Sequence, residues 1–254
     1  MTPKVVVSFI AILLISFAAC RSQSNGGSEL QVAAASDLIP AFEEMGREFE
    51  AANKTKVVFS FGSTGLLSRQ IENGAPMDVF AAASIDFINQ LEQKGLILPD
   101  TKGTYARGRI TLWVPKGSAL KIEKVTDLTR TEVKRIAIAN PDHAPYGMAA
   151  QEALQKAGVW EEVKPKLVYG DNIRQTLQFA ETGNVDVAIV ALSLSKQSDG
   201  QWILIPQDFH NPINQGIAVI KGTKNEKAAR DFVAFVNGRQ GQAILARYGF
   251  ERGQ

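Results

Sequence analysis

Residues 30–49, LQVAAASDLIPAFEEMGREF, hold a short apolar strand followed directly by an amphipathic helix. Apolar side chains after the strand recur at intervals of four, three and four residues, which places them on one helix face; they are Leu38, Phe42, Met45 and Phe49. The alternation continues at KVVFSF, residues 56–61, and at VFAA, residues 79–82, each followed by a helical pattern. Three strand–helix repeats in succession predict a parallel sheet with helices on its faces.

A second set of strands and helices follows a long extended run at residues 105–115, which we interpret as a strand that leaves the first lobe. The second set alternates in the same way, and the last helical patterns begin near Glu226 and Gln240. We therefore predict two α/β lobes joined by two crossings of the chain. Lobe 1 comprises residues 29–107 and 215–254, and lobe 2 comprises residues 108–214.

The composition is that of a folded globular protein. The chain has 254 residues, 45% of them hydrophobic, and a net charge of +2 from scattered cations. Without a basic block it offers no stripe that could neutralise phosphates, so we expect no nucleic-acid partner. A single cysteine excludes an intramolecular disulfide, and two histidines, His143 and His210, do not provide the clustered ligands of a zinc site.

The pattern of the amino-terminal residues predicts an export signal. Residues 1–19 carry one cation, Lys4, followed by an apolar run and small residues. FAAC, residues 17–20, resembles a bacterial lipobox with Phe17 in place of the usual Leu, which implies a lipid on Cys20. A plain cleaved signal peptide and an uncleaved anchor are the alternatives. Residues 20–28 are polar and rich in Gly and Ser, which is typical of a flexible leash between an anchor and a fold.

Four strand-to-helix turns are candidate binding positions, because each presents unpaired backbone N–H groups at the positive end of a helix. They are Ala35-Ser36-Asp37, Gly62-Ser63-Thr64-Gly65, Pro145-Tyr146-Gly147 and Asp171-Asn172-Ile173. For any one turn an ordinary helix cap is the simpler interpretation. Together, in two facing lobes, they indicate an anion or a small polar ligand in a cleft.

Four stretches resemble the periplasmic molybdate-binding proteins of molybdate ABC transporters: VAAASDLIPAF, SFGSTGLLSRQIENGAPMDVFAAAS, ANPDHAPYGMAAQEALQKAGVW and RYGF. They occur in order over residues 30–250. The resemblance implies a type II periplasmic-binding-protein fold, with two α/β lobes, a two-strand hinge and a tetrahedral oxyanion in the cleft. It further implies an exported monomer, in the periplasm or on the outer face of the cell membrane, that hands molybdate or tungstate to an ABC permease without a cofactor.

The same resemblance implies the binding residues. Ser36 and Ser63 correspond to the hydroxyl donors of the family, and Tyr146 and Ile173 to backbone N–H donors; molybdenum would be held only as the oxyanion. Many members add a Tyr whose position is taken here by Ala191. The sequence does not identify a donor that replaces this phenol. A branch of the family also uses the residue after the first Ser, which here is Asp37.

Asp37 has two interpretations. A carboxylate would repel a dianion, so we expect it to face solvent at the start of its helix while its N–H faces the ligand. The alternative is an acceptor for a protonated anion such as hydrogen phosphate, which keeps phosphate and sulfate open as ligands. We expect the nearby cations to lie on the lobe surfaces; they are Arg69, Arg107, Arg109 and Arg174.

Enzymatic activity on the same fold is the remaining alternative. Against it, neither serine lies in a G-x-S-x-G turn, and the sequence identifies no histidine base for either of them. We expect His143 to hold its own loop as a turn residue. The sequence therefore predicts a binding protein and not an enzyme.

Overall fold

The structure is a computed structural model that describes residues 29–253. The signal peptide predicted for residues 1–19 and the leash predicted for residues 20–28, with Cys20, lie outside the described residues. Within residues 29–253, none of the helices combines the length and the apolarity that crossing a membrane requires.

The first sheet has, among the described residues, six strands in the order β11-β4-β10-β3-β1-β2. Its strands are β1 (Glu29–Ala35), β2 (Lys56–Gly62), β3 (Val79–Ala82), β4 (Gly103–Gly108), β10 (Ile213–Val219) and β11 (Glu251–Arg252). β1 lies between β2 and β3 and is parallel to both, as the strand–helix repeats predict. β10 and β11 run antiparallel to β4, and β11 was not predicted from the sequence.

The second sheet has five strands in the order β7-β6-β8-β5-β9 within the described chain. They are β5 (Ile110–Pro115), β6 (Ile136–Ala139), β7 (Leu167–Gly170), β8 (Val187–Ala191) and β9 (Gly200–Leu204). β6 is parallel to β7 and β8, whereas β5 is antiparallel to β8 and β9. Each sheet is the centre of one α/β lobe.

Helices cover both sheets. They are α1 (Ile39–Asn53), α2 (Thr64–Glu72), α3 (Ile85–Gln93), α4 (Pro145–Lys156), α5 (Trp160–Val163), α6 (Ile173–Glu181), α7 (Leu192–Ser195), α8 (Glu226–Asn237) and α9 (Arg239–Arg247). The apolar face predicted for α1 is buried, with Phe42 and Phe49 at most 1% exposed. Phe232 of α8 packs edge-on against both rings, so the carboxyl-terminal helices return to the first lobe.

The prediction of one extended strand over residues 105–115 was wrong. The run is divided into β4 and β5, which belong to different sheets and are separated only by Arg109. The carbonyl of Arg109 accepts a hydrogen bond from the N–H of Leu192, outside both ladders. The chain returns to the first sheet between β9 and β10, and these two passages place the strand ends of the lobes opposite each other.

Candidate functional site

Ser36 and Ser63 lie side by side at one edge of the first sheet. The last residues of β1 and β2, Ala35 and Gly62, are register partners, so the two serines follow paired strand ends. Ser36 begins a short 3₁₀ turn that leads into α1, and Ser63 is the N-cap of α2. Both are buried, with exposures of 3% and 4%. The structure thus brings the two predicted hydroxyl donors together.

Tyr146 and Ile173 occupy the matching edge of the second sheet. They stand in the first turns of α4 and α6, which follow the paired strands β6 and β7. N–H groups in a first helical turn have no acceptor inside their own helix. The side chain of Asn172 accepts from the N–H groups of Arg174 and Gln175, both at 3.0 Å, and so caps the two positions after Ile173.

The two edges are in direct contact. The phenol of Tyr146 donates to Oδ2 of Asp37 at 2.9 Å, and the hydroxyl of Ser193 donates to the Asp37 carbonyl at 2.7 Å. Helix α6, which carries Ile173, contacts the 3₁₀ turn of Ser36. The four residues implied by the resemblance therefore lie around one interface between the lobes.

The expectation that Asp37 faces solvent was wrong. Its side chain is fully buried between the lobes. Oδ2 accepts hydrogen bonds from Tyr146 and from Nε2 of Gln215 on β10, whereas Oδ1 has no hydrogen-bond partner within the described residues. The reason is the contact between the lobes, in which α6 and α7 pack against the turn after β1 and the phenol of Tyr146 reaches the carboxyl group.

Burial raises the pKa of Asp37 to about 6, from an ordinary value of 3.8. Hydrogen bonds from Gln215 and Tyr146, and a smaller effect of the residue's own backbone N–H, act in the opposite direction by favouring the charged form. Burial and the neighbouring carboxyl raise the pKa of Tyr105 and Tyr146 well above 10, so both phenols remain donors at neutral pH. Tyr105 donates to Oε1 of Gln215 and holds that amide toward Asp37.

Gly108 makes room for this network. A Cβ atom at this position would lie 2.1 Å from the Tyr146 hydroxyl oxygen, far inside van der Waals contact. The glycine at the end of β4 therefore lets the phenol pass between the lobes to reach Asp37.

His143 contacts Ser63, which the sequence did not predict. The Ser63 hydroxyl donates to the His143 carbonyl at 2.7 Å and lies 2.8 Å from Nδ1 of the same residue. Since a serine has one hydroxyl proton, Nδ1 must carry its own hydrogen for both contacts to be hydrogen bonds at once. The N–H of Gly65 also donates to the His143 carbonyl, at 2.9 Å. His143 thus joins the lobes as well as belonging to its turn.

This contact corrects the statement that no histidine base is available to either serine. The pair still lacks the third group of a hydrolytic triad, because no carboxylate of residues 29–253 is hydrogen-bonded to the His143 ring. The hydroxyl proton is also directed at a carbonyl, which cannot remove it. The geometry fits a donor held in place better than an activated nucleophile.

The nearby arginines supply no charge to these residues through a hydrogen bond or ion pair. Arg174 pairs with Glu181 and Arg109 with Glu251, both at 2.9 Å. Arg107 donates to Asn214, and Arg69 is exposed. An anion at this interface would be held by backbone N–H groups, hydroxyls and helix ends.

Ala191 ends β8 and is fully buried, and β8 carries no phenol that could act as a donor here. The hydroxyl of Ser193, two residues later, is already committed to the Asp37 carbonyl. Among residues 29–253 no cluster of three or more His, Cys, Asp or Glu side chains could hold a metal ion.

Comparison with known proteins shows likeness over nearly the whole described chain. A family model for bacterial extracellular solute-binding proteins matches residues 30–251. The molybdate-binding protein ModA of Azotobacter vinelandii is 35% identical over 236 residues, which are 91% of this chain and 92% of that protein. YvgL of Bacillus subtilis, whose name assigns it as an ABC transporter substrate-binding lipoprotein, is 31% identical over 253 residues, 96% of each chain.

A solved structure shows the same architecture. The periplasmic molybdate-binding protein of Azotobacter vinelandii superposes with a TM-score of 0.83 at 28% identity, covering 89% of this chain and 100% of that one. This likeness confirms the expected fold of two α/β lobes joined at a hinge, with a cleft between them.

Proposed function

This chain belongs to the family of bacterial extracellular solute-binding proteins, and we propose that it captures molybdate outside the cytoplasm and delivers it to an ABC importer. The observation that carries the proposal is the meeting of two serine turns of one sheet with two helix starts of the other. Relatives of this family that are named for molybdate are similar along nearly their full length.

Neutral donors suffice for such a ligand. Capture in the micromolar to nanomolar range requires about 8–12 kcal/mol of binding free energy. A hydrogen bond to a charged group contributes about 1.5–3 kcal/mol, so six or seven donors cover this range and the cost of closing the lobes. The set is made up of the hydroxyls of Ser36 and Ser63, their N–H groups, and the N–H groups of Tyr146 and Ile173. The Ser63 hydroxyl joins it by turning from the His143 carbonyl to the anion.

Tungstate is proposed as a second ligand, because it has the same charge and tetrahedral shape as molybdate. Sulfate is also a tetrahedral dianion but is smaller. We propose that its oxygens do not reach all of the protein's donors at once, so that the size of the anion is the basis of selection. Sulfate and phosphate remain the competing ligands within this class.

Isothermal titration of the purified protein with molybdate, tungstate, sulfate and phosphate at one pH tests the assignment. We expect tight binding of molybdate and tungstate and at least 100-fold weaker binding of the other two anions, a difference of about 2.7 kcal/mol. Tight sulfate or phosphate binding without molybdate binding would overturn the proposal.

We further propose a receptor role and not an enzymatic one. Support comes from the family membership and from the incomplete Ser63–His143 pair. Steady release of product from ester or phosphoester substrates by purified protein, lost in Ser63→Ala, would contradict this.

The anchor is a separate proposal. We propose that Cys20 carries a lipid that tethers a monomer to the outer face of a membrane, which is consistent with the named lipoprotein YvgL among its relatives. One chain provides both halves of the site, so a second copy is not needed to complete it.

A further inference from the structure

Asp37 is the unusual group of this interface, because an acid stands beside Ser36 where an anion is proposed to bind. Its side chain is fully buried, and its Oδ1 forms no hydrogen bond within residues 29–253. Oδ2, in contrast, accepts from both Tyr146 and Gln215. A carboxylate oxygen has two lone pairs, so these two donors occupy Oδ2. A proton added to Asp37 would therefore reside on Oδ1.

Within residues 29–253, no cation forms a hydrogen bond or an ion pair with Asp37. Tyr146 from α4 and Tyr105 from β4 are the titratable neighbours, and both remain neutral donors. β10 contributes the amide of Gln215, and α7 contributes the hydroxyl of Ser193. Helix α6 also contacts the turn of Asp37, and the cation of that helix, Arg174, is paired with Glu181.

A dianion in this setting disfavours the charged form of Asp37. Two negative groups repel strongly when both are buried and no counter-ion lies between them. Even with the opposing hydrogen bonds from Gln215 and Tyr146, burial raises the pKa of Asp37 to about 6. Close to neutral pH, a modest additional repulsion is enough to change its protonation state.

We propose that oxyanion capture by this protein is coupled to protonation of Asp37 on Oδ1, so that the anion and one proton enter the closed interface together. The inference rests on the proposed function, since it requires a dianion at the Ser36 and Ser63 turns. Asp37 thereby becomes a specificity-determining residue: as a neutral acid it tolerates a dianion and offers a hydrogen-bond donor.

The coupling has a definite sign. Below pH 6 Asp37 is already protonated, and affinity is insensitive to pH. Above it, binding must first draw a proton from solution, so affinity falls by about tenfold per pH unit until the pKa of the bound state is reached. Asparagine imitates the neutral acid, because its amide has one acceptor oxygen and one donor nitrogen.

The test is isothermal titration of molybdate into wild type, Asp37→Asn and Asp142→Asn, from about pH 6 to about pH 8, in buffers of different ionisation enthalpy. Asp142 provides the control, because it is an exposed acid on the loop before α4. We expect wild type and Asp142→Asn to take up close to one proton per molybdate near pH 7. For Asp37→Asn we expect no uptake and a flat affinity that exceeds that of wild type at pH 8.

Each failure has its own signature. Absence of molybdate binding in wild type at every pH would overturn the proposed function. Tight molybdate binding without proton uptake would overturn only the coupling. Proton uptake that persists in Asp37→Asn would assign the proton to another group, such as His143, and would equally reject Asp37. The carbonyl stretching band of a protonated carboxylic acid, seen by infrared difference spectroscopy on molybdate binding and lost in Asp37→Asn, provides a second readout.

Discussion

The phenol of Tyr146 donates a hydrogen bond of 2.9 Å to Oδ2 of Asp37, which joins the first turn of α4 in the second lobe to the residue after Ser36 in the first. Tyr146 is thus placed twice in the site. Its backbone N–H is a proposed ligand donor, and its side chain holds the buried carboxyl group of Asp37 next to Ser36. Movement of α4 would alter the anion contacts and the environment of Asp37 together.

The first prediction concerns the effect of Asp37 on stability. Its folded pKa, about 6, lies above the ordinary 3.8, so the stabilising contribution is present below pH 3.8 and is lost as pH rises through 6. Asp37→Asn should therefore gain stability relative to wild type as pH rises, by about 3 kcal/mol in total, because folding raises the pKa of Asp37 from 3.8 to about 6. Urea unfolding of both proteins across this range measures the difference. A constant difference would show that Asp37 titrates normally in the folded protein.

The second prediction concerns the phenol. Tyr146→Phe removes one of the two side-chain donors to Oδ2 while the backbone N–H remains. We expect a loss of about 1–3 kcal/mol in unfolding free energy at pH 8, where Asp37 is charged, and a smaller loss at pH 5, where it is neutral. Tyr169→Phe is the control, because Tyr169 is 44% exposed. Equal losses at both pH values would argue against a bond to an ionised Asp37.

Much of the site follows from local pattern. A strand followed by a helical repeat predicts a turn at Ser36 and at Ser63, and the parallel sheet then places these turns at one edge. The structure confirms both steps. The same reasoning placed Tyr146 and Ile173 at helix starts, because Pro145 and Asn172 are typical first-turn and cap residues.

What the sequence could not predict is the direction of side chains whose partners are distant in the chain. Asp37 is 109 residues from Tyr146 and 178 from Gln215, and a helix-start acid facing water was the simpler local interpretation. Ser63 and His143 are 80 residues apart. Both contacts depend on how the lobes close, which no local periodicity encodes.

The third prediction addresses the hydroxyl of Ser63. Ser63→Ala removes a proposed donor to the anion and the hydrogen bond to the His143 carbonyl, whereas the backbone contacts remain. Molybdate affinity should fall by about 1–3 kcal/mol, or about 5- to 150-fold. Ser118→Ala, which removes a hydroxyl that accepts from Leu120 in the loop after β5, should leave the titration unchanged. An unaltered molybdate affinity in Ser63→Ala would show that the hydroxyl does not bind the anion and that Ser63 serves only as the N-cap of α2.

The fourth prediction concerns the amino end. Cys20→Ser removes the only thiol in the chain, so no lipid could be attached there. We expect the variant to be lost from the membrane fraction or to keep its signal segment, with a mass that lacks the acyl groups. A variant that stays membrane-bound with the processing of wild type would refute the lipobox interpretation.

The last prediction uses Gly65 to test the contact between the lobes. A Cβ atom at Gly65 would lie 2.7 Å from the carbonyl oxygen of His143 and 2.9 Å from its Cβ, too close for either to remain in place. Gly65→Ala should therefore push the loop before α4 away from α2 and break the bonds from Ser63 and from the Gly65 N–H.

We expect Gly65→Ala to weaken molybdate binding without lowering the free energy of unfolding. Gly65 is a helical residue, and alanine favours a helix over glycine by about 1 kcal/mol, so the first lobe should lose no stability. Crowding of this kind costs about 1–3 kcal/mol, which predicts molybdate binding about 5- to 150-fold weaker. Gly103→Ala is the control, because no atom lies within 4 Å of the added Cβ. If Gly65→Ala melts like wild type and also binds molybdate like wild type, the close packing of Gly65 against His143 is not part of the anion-bound state.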